Sequence, residues 1–195
     1  MRLRRGAGFT PIAALVGTGS PTPGIGDPVD IGGFGIKTGA STTLTFDTTA
    51  DVTPDDTAII AILSTNSTAI TSVTDSVGNT WTLNTNVAPA TNFLRQAFIK
   101  PASTIPLGTT ITVTFAATLG RKLAQAVKCS GLNGHDVTGS GVDGTTTTPV
   151  VATPTLTQAN DLLLACTFVN SGFLDTWTED ADWTAVPNSP VIETR

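Results

Sequence analysis

The chain has 195 residues, a net charge of −5 and only 13% charged side chains, against roughly 25% in an ordinary soluble domain. That length suits one sandwich or barrel domain with extra loops and a tail. The acidic balance excludes a nucleic-acid-binding body, which needs a basic surface, and no apolar stretch is long enough to cross a bilayer as a helix. About a fifth of the chain is Thr, Tyr is absent and Met occurs once. Thr and Val suit pleated, half-buried surfaces, while the 19 Gly and 12 Pro punctuate turns.

The first 20 residues, MRLRRGAGFTPIAALVGTGS, place three of the ten basic residues (Arg2, Arg4 and Arg5) ahead of a short apolar run. Thr10 and Pro11 interrupt that run, so it reads as an arm rather than a secretory leader. Residues 1–40 are Gly- and Pro-rich and predict an extended N-terminal arm with one short strand. A β-domain is expected over 41–195. STTLTFD (41–47) alternates and puts Leu44 and Phe46 on one face. TAIIAILS (57–64) is almost continuously apolar, as for a central strand covered on both faces. TSVTDSVGNTWTLNT (71–85) reads as a hairpin, its strands at 69–75 and 79–85 and a two-residue loop at Gly78-Asn79, where positive φ is cheap.

Further along, FLRQAFIK (93–100) is a strand closed by Pro101, and TTITVTFA (109–116) turns Ile111, Val113 and Phe115 inward. LAQAVKCSGL (123–132) places Leu123, Val127 and Cys129 on one face, which Gln125 interrupts, pointing to a polar spot. A Gly-, Asp- and Thr-rich loop is expected at 133–148, then an edge strand near 149–156 carrying Pro149 and Pro154. NDLLLACTFVN (160–170) is a strand with Leu162, Leu164, Cys166 and Phe168 on one face. No segment has a helical period. Many short strands with turn signals between them predict an all-β, antiparallel β-sandwich of jelly-roll type.

Chemistry-bearing residues are few. His135 is the sole histidine and sits in the 133–148 loop beside Asp136 and near Asp143. A catalytic His needs a positioned partner and a zinc site several N or S ligands. The two acids do not follow the calcium-loop spacing. Cys129 and Cys166 each lie in an apolar strand and read as buried free thiols, although a disulfide between them depends on geometry the sequence does not contain. Asp51, Asp55 and Asp56 form an acidic turn around Pro54. Trp81 alternates with threonines and reads as a packing anchor. Trp177 and Trp183 flank TEDAD near loops, where they would either pack or present a sugar-stacking pair. No catalytic residue, metal site or cofactor is expected.

The run Asp75-Ser-Val-Gly78-Asn79-Thr-Trp81-Thr-Leu83, followed in order by FLRQAFIKPAS, TTITVTFA, LAQAVKCSGLNG, a Gly/Asp/Thr loop and NDLLLACTF, resembles a family of jelly-roll or Ig-like sandwich modules over residues 41–192. Such modules occur in virion proteins of tailed phages and in some bacterial surface proteins. The resemblance implies a non-enzymatic virion structural protein: a capsid decoration or cement protein, a head fibre or a tail module. Its partners would be the major capsid protein, other virion proteins and sister copies of the chain, with no nucleic acid and no membrane. Arg2, Arg4 and Arg5 would belong to a capsid-docking arm. Family members continue past the segment matching Trp183–Ile192, so one or two final strands are expected to be missing here. The alternative is a secreted or surface carbohydrate-binding or adhesion module with Trp177 and Trp183 at the glycan.

Overall fold

The protein was analysed as a computed structural model. It describes residues 24–33, 40–65, 68–84 and 92–134, with side chains except at 65 and 92–94. It also describes the backbone of strands at 2–3, 9–16, 137–141, 162–169, 177–178, 184–185 and 192–194. Eight strands build the sandwich: β1 (Val29–Gly32), β2 (Ser41–Asp47), β3 (Asp56–Thr65), β4 (Ile70–Asp75), β5 (Thr82–Leu83), β6 (Asn92–Ile99), β7 (Thr110–Leu119) and β8 (Lys122–Ser130). A five-stranded sheet runs β1-β8-β3-β6-β5 and a three-stranded sheet runs β2-β7-β4, with every pairing antiparallel. No helix occurs among the described residues. The all-β sandwich is as the alternation predicts.

The core lies between the two sheets, and the sheets divide it by size. The five-stranded sheet contributes Ala58, Ile60 and Ile62 from β3, Ala97 from β6, and Ala124 and Ala126 from β8. The three-stranded sheet answers with Leu44, Ile70, Val73, Ile111, Val113 and Phe115. Alanines on one side let larger side chains on the other approach closely, which keeps packing dense. Each fully buried Ile, Val or Phe stabilises by about 1.5–3 kcal/mol relative to exposure. Arg95 and Lys122 stitch the sheets at the margins. Arg95 donates from Nε to the Asn84 carbonyl at 2.8 Å and from Nη1 to the Ile70 carbonyl. Lys122 donates to the Thr43 carbonyl at 3.3 Å, with its ammonium 5.9 Å from the Phe115 ring centre.

Strand β3 is central, and the apolar run TAIIAILS is explained by burial on both faces. Ile60 and Ile62 point into the core, while Ile59 and Leu63 on the opposite face are also buried. Residues 1–40, expected as an extended arm with one short strand, hold three strands among those described: Arg2–Leu3, the eight-residue Phe9–Val16, and β1, whose Ile31 enters the core. The segment before β1 runs along the end of β8, where Gly26 N–H donates to the Ser130 carbonyl. Gly131 allows that approach: its φ is +77°, and a Cβ there would lie 1.9 Å from the Gly24 carbonyl oxygen.

The Gly78 hairpin differs from expectation in two ways. Its loop has three residues, Ser76-Val77-Gly78, because Asp75 N–H donates to the Asn79 carbonyl and Gly78 N–H to the Asp75 carbonyl. The Asp75 carboxylate sets this longer loop. It accepts from Val77 N–H (3.2 Å), Asn79 N–H (2.9 Å), Asn79 Nδ2 (3.0 Å) and Trp81 Nε1 (3.3 Å). Gly78 supplies the positive φ that such a loop needs at its last position. The second arm then changes sheet. Trp81 N–H still donates to Val73 of β4, but Thr82 and Leu83 pair with Phe98 and Ala97 of β6.

A separate antiparallel sheet joins the backbones of Val137–Gly141, Phe9–Val16, Leu162–Val169, Ile192–Thr194 and Thr184–Ala185 in that order. Residues 137–141, expected within a loop, are therefore strand. The strand expected near 149–156 lies outside the described residues.

Candidate interaction surface

The alternation that sends Ile111, Val113 and Phe115 inward sends Thr110, Thr112 and Thr114 outward. The flanking strands obey the same rule. Their register sets Thr43, Thr114 and Ser72 in one row and Thr45, Thr112 and Thr74 in the next. Asp47 and Thr110 form a third, which Ser76 extends: its N–H donates to the Thr110 carbonyl, and its hydroxyl accepts from Thr110 N–H. Rows lie about 6.6–6.8 Å apart along a strand, and strands about 4.7–4.9 Å apart. The outer face of this sheet is thus a plane of hydroxyl and methyl groups with one charge, Asp47, which accepts from the Thr110 hydroxyl at 2.6 Å. The sequence reading used the apolar half of each alternation and did not single out the hydroxyl half, although T-x-T at 43–45 and T-x-T-x-T at 110–114 displays it.

Loops at one end of this sheet add apolar groups. Val77 at the hairpin tip is 53% exposed and Leu107, three residues before β7, is 62% exposed. Both are held at the same end, because Ser76 is bonded to Thr110. The Leu107 loop is braced by Leu107 N–H to Asp51 Oδ1 (2.6 Å), Gly108 N–H to the Thr48 carbonyl (2.8 Å) and the Thr48 hydroxyl to the Pro106 carbonyl (2.9 Å). A braced loop presents its apolar side chain with little ordering cost on binding.

The titratable groups behave as parts of the frame. In the expected turn around Pro54, Asp56 Oδ2 accepts from Thr53 N–H at 2.8 Å and from Lys128 Nζ at 3.0 Å. Burial alone would raise this carboxyl, but the Thr53 and Lys128 bonds outweigh it and hold it below the usual carboxylate range. Asp30 moves the opposite way: burial raises it, against opposing bonds from Gly32 N–H and Gln125. Cys129 is a buried free thiol bonded to the Gly26 carbonyl. Burial and the nearby Asp56 and Asp27 charges push its pKa up to about 12, so it is a poor nucleophile near neutral pH.

The expected site residues fall unevenly. Trp81 is a packing anchor, 2% exposed. The backbone of Arg2–Leu3 pairs with Trp177–Thr178, with Arg2 opposite Thr178 and Leu3 opposite Trp177. A segment from the expected docking arm and one from the expected glycan pair therefore share a ladder. The side chains of Arg2, Trp177 and Cys166 lie outside the described residues, as do Arg4, Arg5, His135, Asp136, Asp143 and Trp183 altogether. Among the described residues no three His, Cys, Asp or Glu side chains converge as a metal site. Comparison with protein-family models, with curated proteins and with solved structures finds no match.

Proposed function

We propose that this chain is a structural, non-enzymatic component of a tailed-phage virion, a capsid decoration or cement protein that binds the major capsid protein and sister copies of itself. The surface of the three-stranded sheet is the observation that carries the reading: a hydroxyl plane with a single carboxylate, ending in the exposed Val77 and Leu107. Protein interfaces are depleted in charge at their centres, and such a plane has little charge to desolvate. Its outer edge is β2, which has no further strand beside it among the described residues and offers backbone groups for strand addition. The order of strand motifs from the Gly78 hairpin onward, which resembles that of virion sandwich modules, favours the same reading. On a lattice, weak contacts made by each copy multiply through avidity.

Quantitative mass spectrometry of the purified source particle tests this. The expected result is the chain at a fixed ratio to the major capsid protein. Its absence from particles, with the chain found free or on a cell surface, would overturn the proposal. Glycan binding lost in Trp177→Ala or Trp183→Ala would then establish the adhesion reading. Within the virion reading, Val77→Asp with Leu107→Asp is expected to abolish particle binding while leaving the melting temperature within about 2 °C, because both sites are exposed.

A further inference from the structure

Strand β8 ends at Ser130, and Gly131, Leu132, Asn133 and Gly134 follow on the way to the strand Val137–Gly141 of the separate sheet. Leu132 is clamped. Its side chain is 6% exposed, and its carbonyl accepts from Lys100 Nζ at 2.6 Å and from the Thr57 hydroxyl at 3.2 Å. The next two residues are held differently. Asn133 is exposed, and among the described residues neither its side-chain amide nor the Gly134 N–H has a hydrogen-bond partner. A Cβ built on Gly134 would meet nothing within 4 Å, and its φ of +116° suits glycine. The Gly134 nitrogen is therefore open to the side chain beside it. The two other asparagines whose side chains are described are tied down. Asn79 donates to the Asp75 carboxylate from its backbone N–H at 2.9 Å and from Nδ2 at 3.0 Å, and it precedes a β-branched threonine. Asn84 is 9% exposed, and its Nδ2 donates to Gln96 at 3.4 Å.

We propose that Asn133-Gly134 is a site of spontaneous covalent modification, at which the asparagine deamidates through a cyclic imide. The Gly134 backbone nitrogen attacks Cγ of Asn133 and closes a five-membered ring. The side-chain nitrogen leaves as ammonia, taking the proton of the Gly134 N–H. Water then adds to one ring carbonyl and the adjacent C–N bond breaks. Breakage at Cγ gives aspartate, and breakage at the main-chain carbonyl gives isoaspartate. The sum is one water consumed and one ammonia released, with no change of oxidation state. The reaction needs an unencumbered amide, no Cβ crowding the ring and a following residue with wide backbone freedom, which glycine supplies. The product adds a negative charge to a chain that already carries −5. Isoaspartate also lengthens the main chain by a methylene between the sandwich and the separate sheet. The Leu132 clamp lies ahead of the bonds that change, so the sandwich keeps its anchor.

The test is peptide mapping by mass spectrometry on the folded full chain after incubation at mildly alkaline pH, where the backbone amide loses its proton more readily. Isoaspartate is labelled with an isoaspartyl methyltransferase, and a guanidinium-unfolded sample is incubated in parallel. Aspartate and isoaspartate are expected at position 133 of the folded chain, with Asn79 and Asn84 intact. Asn133→Gln keeps an amide at this position but has to close a larger, slower ring, and is expected to lose the label there. The proposal fails if Asn133 stays intact in the folded chain once the unfolded sample has converted. It fails equally if Asn79 or Asn84 is modified first, or if the label at this position survives in Asn133→Gln.

Discussion

The two sheets of the sandwich share a core and differ in what lies behind them. The five-stranded sheet is buried on both faces: outward-pointing Ile59, Leu63, Leu123 and Val127 are as hidden as inward-pointing Ile60 and Ala126. The three-stranded sheet is buried on one face only, and its other side is Thr and Ser. The pattern follows a general difference between strands covered twice and strands covered once. It teaches that in this molecule the runs without alternation mark the structural interior, and the alternating strands mark the surface available to partners.

The comparison can be broken hardest at Trp81, where the chain leaves one sheet for the other. Trp81→Ala removes a buried indole and strips Asp75 of a donor, and is expected to cost about 3–5 kcal/mol in urea unfolding. The next largest effect should come from giving the five-stranded sheet the chemistry of its neighbour. Ile59→Thr loses buried apolar area and buries a hydroxyl, a cost of about 2–4 kcal/mol. A loss below about 0.5 kcal/mol would mean that the outer face of β3 is solvated.

Acid should act on the frame through Asp56. Its carboxyl is held below the ordinary value of 3.8, so the stability it contributes is complete above that pH and is lost as pH falls through the folded-state value. Asp56→Asn is expected to flatten the fall in melting temperature below pH 3.8, while lowering stability at neutral pH. Asp30 has the opposite sign: its raised carboxyl contributes stability below pH 3.8 that is lost as pH rises through the folded-state value. Asp30→Asn should therefore flatten the profile above pH 3.8. A variant of either kind with the wild-type profile would contradict the assignment. The smallest effect is reserved for the reverse exchange. Thr112→Ile, on the hydroxyl plane, should change stability by less than about 0.5 kcal/mol, yet would add an apolar group to the proposed contact surface. A large loss there would mean that this face is covered.

Much of this frame is legible in the residues. TAIIAILS announces a strand covered twice, and I-x-V-x-F in β7 announces a strand covered once. Gln125, breaking an apolar face, points to a polar spot, and the spot is the Asp30 carboxylate. Other features depend on partners distant in sequence. Nothing local in Thr82-Leu83 says that the chain crosses to β6, because strand propensity does not encode the neighbour. Gly-Asn is a strong two-residue signal and predicts a hairpin loop one residue too short, whereas the Asp75 carboxylate reaches four local donors and selects the longer loop.

The central position of β3 has a consequence for synthesis. Its best-matched neighbour, β8, ends at Ser130, which pairs with Asp56. At ~5–20 residues per second, the ribosome needs on the order of several seconds after making β3 to deliver that neighbour. Throughout that interval the nascent chain carries AIIAIL (58–63), uncharged, rich in β-branched residues and free of Pro, the composition that favours cross-β association. β6 arrives first and shields only one edge. The segment that makes the folded sandwich secure is therefore the one that leaves the growing polypeptide most vulnerable, and yield at high expression should depend on how quickly β8 follows.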